Sequence, residues 1–145
     1  MNPDQPTRAP DKRRGIKKAV FLVEDHSLMR RSIVEAIERE PDMTVCGQAE
    51  DASAALAAIL SLPPSLVLTD IQLKSSSGLD LIKALRARLP KMLIMATTMF
   101  DVRRTERLAR AAGASGFISK ENGPDQLVAV IREVLGKSGK REPGA

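Results

Sequence analysis

The chain has 145 residues, a formal net charge of +5 and 43% apolar residues, but only 2% aromatics: three Phe and no Trp or Tyr. That is enough chain for one self-supporting core, and too few aromatic faces to stack unpaired bases, which counts against single-stranded nucleic-acid binding. Residues 1–18 hold six bases against two acids and residues 136–145 three against one, leaving 14 bases and 15 acids for residues 19–135, so the body is close to neutral and the basic excess sits at the ends.

Residues 1–17 are rich in Pro, Lys, Arg and Asp without periodicity, and read as a disordered basic leader. Ala19–Val23 is a continuous apolar run, the pattern of a strand buried on both faces. It is too short for a signal-peptide core. Met29, Ile33, Ala36 and Ile37 recur at helical spacing up to Pro41. Met43–Ala49 reads as a second strand, and Cys46 within it as a small buried hydrophobe with no disulfide partner. Ser53–Leu62 is an Ala-rich helix closed by Pro63 and Pro64. Leu66–Thr69 is a third strand, Leu79–Leu89 a helix ended by Pro90, and Met92–Ala96 a fourth strand. Val102–Ala112 is a helix closed by Gly113, carrying Arg103, Arg104, Arg107 and Arg110; these form a solvated face or an interface with a partner. Gly116–Ser119 is the fifth strand. The last helix has Pro124 near its start, with Leu127, Val130, Ile131 and Val134 on one face. Residues 137–145 read as a disordered tail. No apolar run approaches the ~20 residues of a membrane span, so the expected compartment is the cytoplasm.

Five strands alternating with five helices predict an α/β fold with a parallel sheet covered on both faces. In such sheets the site lies at the carboxyl ends of the strands. There the sequence places Glu24 and Asp25, Asp70, Thr97 and Thr98, and Ser119 and Lys120. A single Asp after a strand is usually a cap or a turn residue; three carboxylates, hydroxyls and one ammonium at one rim are harder to explain that way. Clustered carboxylates repel by several kcal/mol per close pair, on the order of 4 at ~4 Å, and a divalent cation relieves this. All-oxygen ligands without a His or Cys cluster favour Mg2+. Lys120 suits the oxygens of an incoming phosphoryl group. The chemistry needing these parts is attack of a carboxylate on phosphorus, giving an acyl phosphate. His26, the sole histidine, reads as a helix-start residue, not as a phosphoacceptor or a ligand.

The motifs VEDH at 23–26, LVLTDIQL at 66–73 with Gly78, ATTM at 96–99 and GASGFISK at 113–120 resemble those of two-component response-regulator receiver domains. The likeness is to the branch that often precedes LuxR/NarL-type DNA-binding domains, and it covers about residues 18–136. It implies a doubly wound, five-stranded flavodoxin-like (βα)5 fold with strand order 2-1-3-4-5. It also implies that Asp70 is the phosphoacceptor, that Asp25 binds Mg2+ directly with Glu24 acting partly through water, and that Gln72 supplies its backbone carbonyl to the metal. Thr98, which keeps the family spacing to Lys120 better than Thr97, resembles the switch hydroxyl and Lys120 the phosphate-binding lysine. Phe117 falls at the family's switch aromatic, where plain core packing is the competing reading.

The chain departs from the family pattern at Lys74, where a Pro is usual four residues after the acceptor, and at Glu121, where other branches have Pro after the lysine. The implied partners are a histidine kinase or a phosphotransfer protein, with homodimerisation on phosphorylation open; no nucleic acid bound by this chain alone and no membrane are expected. The implied activity is confined to the chain's own phosphorylation and dephosphorylation, so it is not read as an enzyme. The main alternative is the receiver part of a LuxR/NarL-type transcriptional regulator whose DNA-binding domain is missing from this chain. A protein-binding pseudo-receiver is disfavoured by the intact acidic set. A hydrolase of the haloacid-dehalogenase type is disfavoured by Gln72, where that chemistry wants a second Asp.

Overall fold

The computed structural model describes residues 16–141. Residues 1–15 of the expected leader and 142–145 of the expected tail lie outside the described residues. Five strands, β1 (Lys18–Val23), β2 (Met43–Ala49), β3 (Leu66–Asp70), β4 (Leu93–Thr98) and β5 (Gly116–Ser119), alternate with α1 (Ser27–Glu38), α2 (Ala52–Ser61), α3 (Gly78–Arg88), α4 (Val102–Ala112) and α5 (Gly123–Arg141). The strands form one parallel sheet in the order β2-β1-β3-β4-β5, as the resemblance implied.

The unbroken apolar runs are explained by a core on each side of the sheet. Val20 and Leu22 of β1, Leu66 and Leu68 of β3 and Met95 of β4 pack with Ile33, Ala36 and Ile37 of α1 and Leu127, Val128 and Ile131 of α5. The intervening Phe21, Val23, Val67, Ile94 and Ala96 face Ala55 and Ile59 of α2, Leu81, Ile82 and Leu85 of α3, and Ala109 of α4. Alternate residues of one strand thus serve two cores.

Two expectations are corrected. Cys46 is exposed. The β1–β2 register passes from Val20 opposite Val45 to Phe21 opposite Gly47, so Cys46 is the extra residue of a bulge and points out of the sheet. Gly47 follows because the Phe21 ring occupies its side-chain space: a Cβ there would lie 2.6 Å from Phe21 Cε2. The final helix, expected to end near residue 136, continues to Arg141. No Pro interrupts Lys137–Arg141, and basic residues suit the negative end of a helix dipole.

Candidate functional site

The strand order puts β1 beside β3, and β3 beside β4, so the chain segments leaving these strands meet at one rim. This is the point where the order reverses, the usual ligand crevice of an open α/β sheet. Asp70 closes β3 opposite Thr97 of β4, and Thr98 closes β4 opposite Ser119 of β5. Lys120 opens a 3-10 turn, Lys120–Asn122, that follows β5 directly. With Glu121 in place of Pro, that turn has an N–H donor, which bonds Ser119 Oγ at 3.2 Å.

Lys120 Nζ lies 2.7 Å from Asp70 Oδ2 and 2.7 Å from Glu24 Oε1. All three side chains are nearly withdrawn from solvent. Burial pushes the Asp70 carboxyl up from its ordinary range; the hydrogen bonds from Lys120 and the Gln72 N–H pull it down less, and the Glu24 charge adds to the rise. Burial alone would lower Lys120, but its bonds to Asp70 and Glu24 outweigh that and raise it. The two shifts act in opposite senses on the ion pair. The geometry favours the ammonium, because one cation sits in contact with two carboxylates.

Asp70 Oδ1 accepts the Gln72 backbone N–H at 3.0 Å. The Gln72 side chain reaches the other way, its Oε1 accepting from Thr98 Oγ1 at 3.2 Å. Thr98 therefore connects to Asp70 through Gln72, and Thr98 Oγ1 also accepts the Phe100 N–H at 3.2 Å. Thr105 of α4 donates to the carbonyls of Phe100 and Asp101 at 3.0 and 2.8 Å. Asp101 is the one non-glycine residue with positive φ among the described residues, at 46°. Phe117 lies opposite Ala96 in the β4–β5 ladder and packs half-buried against the core of α2, α3 and α4.

One ligand atom from each of Glu24, Asp25, His26 and Asp70 can be chosen so that all lie within 4.8 Å of one another. Asp25 Oδ2 accepts the Lys74 backbone N–H, whereas Asp25 Oδ1 is buried without a hydrogen bond among the described residues. An orphaned buried carboxylate oxygen inside an acidic cluster fits a hard divalent cation. His26 stands at the start of α1, as its position in the sequence indicates, and makes no side-chain cap bond. Its Nδ1 is 3.3 Å from Asp25 Oδ1 and 3.4 Å from Glu24 Oε2.

Sequence reasoning missed three supports. Arg30 donates to the Glu24 backbone carbonyl at 2.7 Å, the Gln72 side chain holds Thr98, and the Lys74 N–H holds Asp25. The first had a weak signal, an Arg on the buried side of α1. The other two had none beyond residue identity.

Residues 20–132 match the protein family described as "Response regulator receiver domain". The chain belongs to this receiver family. A nitrate/nitrite response regulator protein homolog of Haemophilus influenzae is 30% identical over 118 residues, covering 81% of this chain and 57% of the relative. The nitrate/nitrite response regulator protein NarP of Escherichia coli is 33% identical over 113 residues, covering 78% and 53%. The receiver thus spans little more than half the length of these relatives. Among solved structures, a LuxR-family two-component response regulator from Aurantimonas superposes with a TM-score of 0.79 at 29% identity, covering 83% of this chain and 86% of the other. A CheY-like receiver protein from Methanospirillum hungatei gives 0.78 at 26%, covering 86% and 98%. The matched relatives and structures include regulators of the NarP and LuxR kinds. No helix among the described residues is long and apolar enough to cross a membrane.

Proposed function

We infer that this receiver accepts a phosphoryl group on Asp70 from a histidine kinase or a phosphotransfer protein and uses it to switch a partner-binding surface. The observation that carries the reading is the buried Asp70 carboxylate with Lys120 Nζ 2.7 Å from Oδ2, beside the Glu24 and Asp25 acids. A carboxylate oxygen of Asp70 attacks phosphorus; a P–O bond forms, the P–N bond to the donor imidazole breaks, and the electron pair leaves with that ring. Lys120 is placed to take the charge of the phosphoryl oxygens. Asp25, Asp70, Glu24 and the Gln72 carbonyl would hold Mg2+, which supplies the charge screening that lets an anionic nucleophile meet an anionic phosphate. Hydrolysis of the acyl phosphate resets the chain, so the activity is confined to the receiver itself.

Once phosphate is attached, Thr98 can exchange its bonds to Gln72 and Phe100 for one to a phosphoryl oxygen. The β4–α4 segment then changes population between two arrangements, with Phe117 on the neighbouring strand following. In this reading residues 18–136 are the receiver unit, with the basic segments 1–17 and 137–145 as flanking ends, in the cytoplasm. Homodimerisation on phosphorylation requires that this change expose a surface, and sedimentation with and without beryllofluoride tests it.

The test is incubation with Mg2+ and acetyl phosphate or phosphoramidate. Intact mass should show one added phosphoryl group, and Asp70→Asn should show none. Labelling that survives in Asp70→Asn places the acceptor elsewhere.

A second reading is that the receiver controls a DNA-binding domain absent from this chain. It is favoured by the 53% and 57% of the relatives' length that the chain spans and by one relative's description as the DNA-binding transcriptional activator DevR/DosR. The reading frame downstream of residue 145 distinguishes the two.

A further inference from the structure

The two oxygens of Asp25 have different surroundings. Oδ2 accepts the backbone N–H of Lys74 across 49 residues of chain. Oδ1 is buried, makes no hydrogen bond among the described residues and lies 3.3 Å from His26 Nδ1 at the acidic cluster. A carboxylate held by one oxygen has its plane and rotamer restricted, and the other oxygen is left as an open donor.

The loop that brings the N–H is itself fixed. Gln72 and Ser77 form an isolated antiparallel bridge. Ser76 Oγ accepts the Ala52 N–H at 2.9 Å, and Ser77 Oγ accepts the Asp80 N–H at 3.2 Å at the start of α3. The contact exists because residue 74 is not proline. Proline has no backbone N–H, so the residue that marks this chain's departure from the family pattern supplies a bond that the usual residue cannot make. The Lys74 side chain is exposed and forms no salt bridge among the described residues; the role belongs to the main chain.

The geometry points to Lys74 as a positioning residue: its main-chain N–H holds Asp25 Oδ2 and so presents Asp25 Oδ1 to a divalent cation. This rests on the metal-binding role proposed above for Asp25. Such second contacts orient a ligating carboxylate before the metal arrives and raise affinity by reducing what must be ordered on binding.

The experiment compares Mg2+ binding by wild type, Lys74→Pro and Lys74→Ala in the full chain, by calorimetry and by amide NMR titration, with no phosphodonor present. Lys74→Pro lacks the donor and should bind Mg2+ about tenfold more weakly, the order expected for a hydrogen bond to a charged group. Lys74→Ala keeps the amide and should stay within about twofold of wild type, since only the exposed side chain changes. Equal or tighter binding by Lys74→Pro overturns the inference while leaving the proposed function intact. Equal weakening in both variants also overturns it, because the side chain would then be responsible. Wild type that binds no Mg2+ at this cluster removes the metal reading and the inference together. If Lys74→Pro does not fold, the wild-type Lys74 amide decides the matter. It should be protected from hydrogen exchange and remain so on Mg2+ addition; exchange at an open-loop rate, or protection lost when Mg2+ binds, overturns the inference.

Discussion

Gly78, the first residue of α3, lies against the backbone of Asp70 so closely that a Cβ built on it would stand 2.0 Å from the Asp70 carbonyl oxygen. Its N–H bonds the Ile71 carbonyl at 3.0 Å, so at this point α3 meets the end of β3 through main-chain atoms. No rotamer can relieve a methyl group placed there. Gly78→Ala should lower the unfolding free energy by about 2 kcal/mol or more, the range of core overpacking, and displace Asp70. Urea denaturation measures the first and labelling by acetyl phosphate the second; a variant as stable and as readily labelled as wild type would contradict the contact.

Lys120 is the only Lys or Arg side chain bonded to the buried carboxylates of Glu24 and Asp70 among the described residues. Replacing it by Met leaves two acids facing each other out of water. Removing one partner of a buried ion pair costs roughly 3–5 kcal/mol. Lys120→Met should therefore be strongly destabilised in EDTA, regain more stability from Mg2+ than wild type does, and still be impaired in phosphorylation. Denaturant midpoints with and without the metal give the comparison.

Thr98 has one hydroxyl proton and two acceptors in reach, Gln72 Oε1 at 3.2 Å and the Phe100 carbonyl at 3.1 Å. Thr98→Val should cost about 1–2 kcal/mol through the lost bonds. With beryllofluoride as an acyl-phosphate mimic, wild-type amide shifts should extend through Phe100–Thr105 and Phe117; in Thr98→Val they should stop at groups touching the ligand. Identical shift maps would remove the switch role from this hydroxyl.

Asp101 holds a left-handed backbone at φ 46°. Asp and Asn tolerate that region better than other side chains do, and a β-branched residue pays most. Asp101→Asn should be nearly neutral, whereas Asp101→Val should destabilise by about 1–2 kcal/mol, as thermal unfolding would register.

Arg132 of α5 bonds Asp42 at 2.9 and 3.0 Å and also Glu40, tying α5 to the turn before β2. The hydrogen bond from Arg132 is the largest cause of the lowered Asp42 pKa. A folded-state pKa below the unfolded one contributes stability above the unfolded pKa, and this is lost as pH falls through the folded value. Both side chains are close to half exposed, so solvent screening limits the pair to about 0.5 kcal/mol. Arg132→Met should be slightly less stable than wild type at pH 7, and the difference should fade below about pH 4. A difference unchanged at pH 3 would assign it to packing.

The sequence carried the strands and helices because each strand is apolar on both faces and each helix on one, with Pro or Gly at most boundaries. It carried Asp70, Lys120 and the acidic pair as positions because β-strand ends are readable and charged residues there are conspicuous. Hydrogen bonds made by the main chain were not readable: every residue except proline has an N–H, so even the departure from proline at Lys74 does not say that its N–H, or that of Gln72, reaches a carboxylate. The outward turn of Cys46 was hidden for a related reason. Apolar alternation gives a strand its faces only while its register is regular, and the shift opposite Val20 and Phe21 goes with the close approach of the Phe21 ring to Gly47, a contact between strands.

That same irregularity lies on β2, which among the described residues has a paired neighbour on one side only. An open strand edge of uniform spacing is a template on which another polypeptide can zip into place and seed fibres. A residue out of step interrupts the row of amide groups and twists it away, so the border of the sheet is a poor mould for an incoming chain.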